Sequence, residues 1–121
     1  MIKFEIDQRQ NRFVIRYSGS VLPKDTEAGL DEIRSGLAQL QTPFQLLVDM
    51  TDLTSMDVKC APHIEKAMDL CNTKGASIVV RVIPNPQLDI GMSIMSVFHY
   101  RGDVQIITCQ SRDEAEQILS S

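Results

Sequence analysis

Apolar and polar positions alternate from the start of the chain, with Ile2, Phe4 and Ile6 set against Lys3, Glu5 and Asp7, the pattern of a half-buried strand with one wet face. Residues 8–11 are polar and turn-like, and Phe13, Ile15 and Tyr17 then alternate with Arg12, Arg16 and Ser18, which predicts an antiparallel hairpin partner closed by Gly19. From Pro23 the period changes. Leu30, Ile33, Leu37 and Leu40 recur at spacings of three and four, the stripe of an amphipathic helix that Thr42-Pro43 ends. Residues 44–49 read as a buried central strand whose apolar run closes at Asp49 and leads into an acidic loop. A second helical stripe follows in Cys60, Ala61, Ile64, Ala67, Met68 and Cys71, with Gly75 as its stop. Pro62 is tolerated only in a first turn, so that helix should start between Val58 and Ala61. Residues 77–82 predict a strand, residues 83–86 a stiff loop with two prolines, and residues 87–99 a third helix. Val104, Ile106 and Ile107 predict a fifth strand, and Ser111-Arg112-Asp113-Glu114 has capping-box spacing ahead of Ala115, Ile118 and Leu119. The order is β-β-α-β-α-β-α-β-α; after the hairpin, strands alternate with helices, so the inner sheet should be largely parallel with right-handed crossovers.

Composition narrows the function more than the fold. At 121 residues the chain is the size of one domain, able to bury about two-thirds of its unfolded surface without disulfides. The net charge of −4, with no run of Lys or Arg, leaves no electrostatic footprint for nucleic acid or an anionic membrane. No apolar run approaches the ~20 residues of a membrane span and the charged first segment is unlike a signal peptide, so a cytoplasmic protein is expected. Three irregularly spaced cysteines, Cys60, Cys71 and Cys109, fit reduced thiols rather than a disulfide framework.

The residues with chemical potential cluster after the central strand. In open α/β sheets the working surface lies outside the carboxyl ends of the strands, which is where Asp49, Thr51, Asp52, Ser55, Asp57 and Lys59 should fall. Two readings stand side by side: a surface that docks a partner, or carboxylates that bond backbone amides and cap the next helix, with Thr54 and Asp57 themselves at capping-box spacing. Cys60 and His63 lie three apart on one helix, but two ligands do not make a metal site, and a buried thiol beside a surface imidazole accounts for them. His99 near the end of the third helix suits the helix dipole. With two histidines, no Gly-x-Ser-x-Gly elbow and no phosphate-binding glycine loop, the chain shows no catalytic constellation, and neither a cofactor nor a metal is expected. The third helix carries more apolar surface than one packing face needs: Leu88, Met92, Met95 and Phe98 line one side, while Ile90, Ile94 and Val97 fall on another.

The element order, together with Val48-Asp49-Met50-Thr51-Asp52-Leu53 running into Met56-Asp57, resembles the STAS family, which includes bacterial anti-sigma factor antagonists and cytoplasmic domains of sulfate transporters. Family members typically show an Asp-Leu-Ser-like triplet after the central strand and an Asp-Ser-Ser-Gly motif opening the second helix. Asp49-Met50-Thr51 corresponds to the first and Met56-Asp57 to the start of the second, but Val58, Lys59 and Cys60 stand where the pattern gives Ser, Ser and Gly. The resemblance implies a phosphate-accepting hydroxyl at position 59, where a helix start would favour the added charge. Lys59 has no hydroxyl, and its ammonium has the opposite sign to phosphoserine, so the family's phosphorylation cycle does not carry over. The chain is also similar to a related group of small proteins named after lipid-carrier domains, which generally lack the paired serines.

The expected architecture is therefore a single α/β domain of STAS type, spanning residues 1–121, with a mixed sheet of about five strands and helices mainly on one face. The leading functional expectation is a non-enzymatic regulatory module that binds a protein partner through Asp49, Asp52, Ser55, Asp57, Val58, Lys59 and Cys60, with Val58 and Cys60 as the apolar centre. By resemblance that partner is an anti-sigma factor kinase or another signalling protein. The alternative is a carrier or sensor of a small lipid-like molecule, or a homodimer, using the face of Ile90, Ile94 and Val97.

Overall fold

The structure is a computed structural model; it describes the backbone of residues 1–121 and every side chain except those of Ser93, Ile94 and Val97. Strands β1 (Ile2–Asp7) and β2 (Arg12–Val21) are followed by α1 (Pro23–Leu37) and β3 (Phe44–Met56). A single 3-10 turn, Val58–Cys60, runs into α2 (Ala61–Lys74), and β4 (Ala76–Val82), a second 3-10 turn (Pro86–Leu88), α3 (Met92–His99), β5 (Gln105–Cys109) and α4 (Arg112–Ser120) complete the order expected from the pattern. The five strands lie in sequence order across one sheet, β1 antiparallel to β2 and every later pair parallel.

Three helices cover one face and one covers the other. Phe13, Ile15, Leu46, Met50 and Val79 meet Leu30 and Ile33 of α1, Ile64 and Met68 of α2, and Met92 of α3 in the larger core. Val14, Leu47, Val80 and Val82 project from the opposite face into a smaller core closed by Ala115 and Leu119 of α4. The wet face that alternation predicts for β2 is therefore only partly wet: Arg12 is 3 % exposed because α4 lies over it.

Two boundaries differ from the sequence reading. β3 does not stop at Asp49 but continues to Met56, because β2 reaches past Gly19 to Val21 and supplies a partner for it: Ser18 faces Asp52, Gly19 faces Leu53, Ser20 faces Ser55 and Val21 faces Met56. Register shifts between Arg16 and Ser18 and between Gly19 and Ser20 break the period of two, so the buried Met50, Leu53 and Met56 recur every third residue and do not read as a strand. The third helix is shorter than residues 87–99. Asp89 accepts the Met92 amide at 2.6 Å and Gly91 takes φ +94°, so α3 begins afresh at Met92 after the 3-10 turn at Pro86–Leu88. The new start rotates the helix: Met92, Ser96 and the following Tyr100 are buried, and Phe98, expected with the core-facing residues, is 79 % exposed. Ile90 precedes the helix and is half-buried against the larger core, while the side chains of Ile94 and Val97 lie outside the described residues.

Candidate docking edge and its supporting charge network

The carboxyl edge of the parallel strands is closed where β2 ends and α2 begins. The Asp57 amide donates to the Val21 carbonyl at 3.0 Å, tying the end of β3 to the end of β2. The Asp57 carboxylate then accepts the Lys59 amide at 2.9 Å, and its carbonyl accepts the Cys60 amide at 2.9 Å, so one residue caps and starts the 3-10 turn. Thr54 is in the strand and takes no part in a capping box. Leu22 caps α1 in turn, its amide donating to the Asp25 carboxylate at 2.9 Å.

One residue beyond the Val21–Asp57 bond on either side stand two apolar side chains in water, Leu22 at 44 % exposure and Val58 at 70 %. Lys59, next to Val58, is exposed, as are Ser55 and, farther back along β3, Asp52; Ser55 Oγ donates to Ser20 Oγ at 3.1 Å. Cys60, expected at the apolar centre, is fully buried, its thiol aimed at the Val21 carbonyl at 3.7 Å and its pKa pushed up by burial. It positions the turn and offers no surface. The exposed apolar residues are Val58 and Leu22, the latter singled out by no sequence pattern because its exposure depends on where α1 starts.

Asp49 turns away from this edge toward α4. At 4 % exposure it accepts the Thr51 amide at 2.9 Å, the Thr51 hydroxyl, and Arg112 Nη1 at 3.1 Å, with Arg16 Nε 3.9 Å away. Burial alone would raise its pKa, but the hydrogen bonds from Thr51 and Arg112 outweigh it and hold the carboxyl below its ordinary value. From here alternating charges run under α4. Arg112 bonds Glu116 at 3.3 Å, Glu116 bonds buried Arg12 at 3.0 Å, and Arg12 Nε donates to Gln45 at 3.0 Å. On the other side Arg16 lies 3.5 Å from Glu5 and 3.9 Å from Asp52. Asp52 thus joins the exposed edge to the network, whereas Asp49 works inside it.

The remaining polar residues are engaged elsewhere. His63 Nδ1 meets Thr26 Oγ1 at 2.9 Å, binding α2 to α1. Among the described residues no cluster of His, Cys, Asp and Glu is arranged to hold a metal ion. His99 sits between Asp69 at 2.7 Å and Glu65 at 3.1 Å, and the hydrogen bond it donates to Asp69, against a smaller effect of burial, raises its pKa. Beneath α3, Tyr17, Met92, Ser96 and Tyr100 surround buried Arg81, whose guanidinium lies 3.2 Å from Asp89. The space left there is about 30 Å³, the share of one water molecule. No helix among the described residues is long and apolar enough to cross a membrane.

The mixed sheet, the three-plus-one helix cover and the capped turn after the central strand define a STAS-like α/β fold. No family model matches the chain and no curated protein matches it in sequence, so the likeness rests on solved structures. The anti-sigma factor antagonist SpoIIAA in its unphosphorylated form superposes with a TM-score of 0.68 at 15 % identity, covering 100 % of this chain and 99 % of that one. The phosphorylated form of SpoIIAA, a Bacillus cell fate determinant, gives 0.63 at 14 % identity with 98 % and 99 % covered. An uncharacterized protein from Shewanella loihica PV-4, described as having a SpoIIAA-like fold, gives 0.70 at 16 % identity with 98 % and 92 % covered. At identities this low the superpositions show a shared fold alone.

Proposed function

We propose that this chain is a non-enzymatic, cytoplasmic regulatory module that binds a protein partner at the edge formed by Leu22, Asp52, Ser55, Asp57, Val58 and Lys59. The observation that carries the reading is the exposure of two aliphatic side chains, Val58 and Leu22, on backbone held by the caps at Asp57 and Asp25, with the charged Lys59 next to Val58. An apolar centre with a charged rim is the anatomy of a docking patch, and here its shape is set before the partner arrives. The fold shared with an anti-sigma factor antagonist supports a partner of the same kind, an anti-sigma factor kinase or another signalling protein. By the sequence resemblance Lys59 stands where the STAS pattern has its phosphate-accepting serine, so docking here is unswitched by phosphorylation at this residue. An apolar cargo beneath α3 would need that helix to lift, since the space there is about 30 Å³.

The test is binding of anti-sigma factors from the same organism, measured by titration calorimetry on the wild-type protein and Lys59→Glu. Reversing the rim charge should abolish binding while the far-UV spectrum and melting temperature stay unchanged. Equal affinity for the two proteins would refute the assignment of this edge.

A further inference from the structure

We infer that the protein has a second docking surface, a groove between α1 and α2 that receives an amphipathic helical segment of an acidic partner. The groove is an open trough of about 600 Å³, with buried Leu37 and half-buried Leu70 at its floor and the exposed Ala38, Arg34 and Lys66 and half-exposed Lys74 along its rim. It lies toward the carboxyl ends of both helices, beyond the point where Thr26 and His63 tie them together near their amino ends. The first docking edge is at those amino ends, so the length of one helix, on the order of 20 Å, separates the two surfaces.

Charge selects the occupant. The whole chain carries −4, yet three cations line this groove, Arg34 already paired with Asp31 at 3.0 Å and, among the described residues, Lys66 and Lys74 without such a partner, against one lining carboxylate, Asp69, which is itself bound to His99 at 2.7 Å. Arg34 and Lys74 stand in the last turns of their helices, where the dipole already favours a cation. Lys66 is in the interior of α2, where the dipole offers nothing, and among the described residues neither Lys66 nor Lys74 is ion-paired. Two helices lying side by side form a trough for a third, and an i, i+3, i+4 apolar stripe flanked by carboxylates satisfies both the floor and the rim.

The probe is a fluorescein-labelled peptide of about fifteen residues, long enough to form a helix on contact, with leucines on one stripe and glutamates flanking it. Anisotropy should give saturable binding that weakens with salt, and amide shifts should map to Leu37, Ala38, Leu70 and Thr73. The double variant Lys66→Glu/Lys74→Glu should bind roughly tenfold more weakly at unchanged melting temperature. Lys59→Glu, which acts at the other end of the molecule, should bind the peptide as the wild type does, and this separates the fate of the groove from that of the first edge. The proposal is overturned by no saturable binding, by equal binding of a peptide with lysines in place of the glutamates, or by shifts confined to the Val58 edge. It is equally overturned if phosphatidylserine vesicles reproduce the groove shifts, or if diluting the free protein does, which would assign the groove to a membrane or to a second copy.

Discussion

Three donors converge on the Asp49 carboxylate, two from Thr51 and one from Arg112. Asp49→Asn keeps the shape but places an amide N–H₂ against a guanidinium, so we expect a loss of about 2 kcal/mol, read by urea denaturation. The pH dependence follows from the direction of the shift. A carboxyl held below its unfolded pKa contributes stability that is fully present above the unfolded value and is lost as the pH falls through the folded one. The difference between wild type and Asp49→Asn should therefore be constant near neutrality and shrink as the pH drops below about 4. At the same scale Gly75 takes φ +108°, and a Cβ there would stand 2.3 Å from Thr42 Cγ2. Gly75→Ala should cost about 2 kcal/mol, and adding Thr42→Ser, which removes that methyl, should return the steric part while leaving the backbone part. Gly75 as a helix stop was legible in the sequence because the C-cap requirement is local; its conflict with Thr42 was not, since it depends on how the loop before β3 folds back onto α2.

At the scale of the element, the attachment of α3 is expected to depend on pH. Both ring nitrogens of His99 face carboxylates of α2, at 2.7 Å and 3.1 Å, and only the imidazolium has a proton for each. The folded pKa is raised, so this clasp contributes fully below the unfolded value and is lost as the pH rises through the folded one. Hydrogen exchange should find the α3 amides better protected in wild type than in His99→Gln near pH 6, with the difference gone near pH 9, both measured relative to the unfolded rate. An unchanged difference at the higher pH would show that the clasp works without the proton. The apolar surplus of this element was visible in the sequence, but its rotation was not. Reading the helix from residue 87 placed Phe98 inward, whereas the start at Met92, set by Asp89 and Gly91, puts Phe98 in water.

For the whole molecule, the sheet has two working faces of unequal size. The smaller core depends on α4, whose Leu119 is 5 % exposed against Val14, Leu47 and Val80. Leu119→Ala should destabilise the fold by about 3 kcal/mol in chemical denaturation, comparable with other leucine cores and far above any effect of Lys59→Glu. The contrast separates residues that hold the sheet together from those proposed to meet a partner.

What the sequence determined by itself is the succession of elements, the antiparallel start and the parallel remainder. Each follows from periodicity, caps and short connections, interactions that span a few residues of chain. What only the tertiary structure decided is which of those residues reach water. Arg12 is buried by a pair with Glu116, 104 residues away, and the strand from Asp52 to Met56 exists because β2 extends to meet it. Cys60 and Asp49 lie inward, and Leu22 and Val58 outward, for the same reason. Exposure is a property of the surfaces brought together by folding, and the local pattern carries no information about a partner surface that arrives from the far end of the chain.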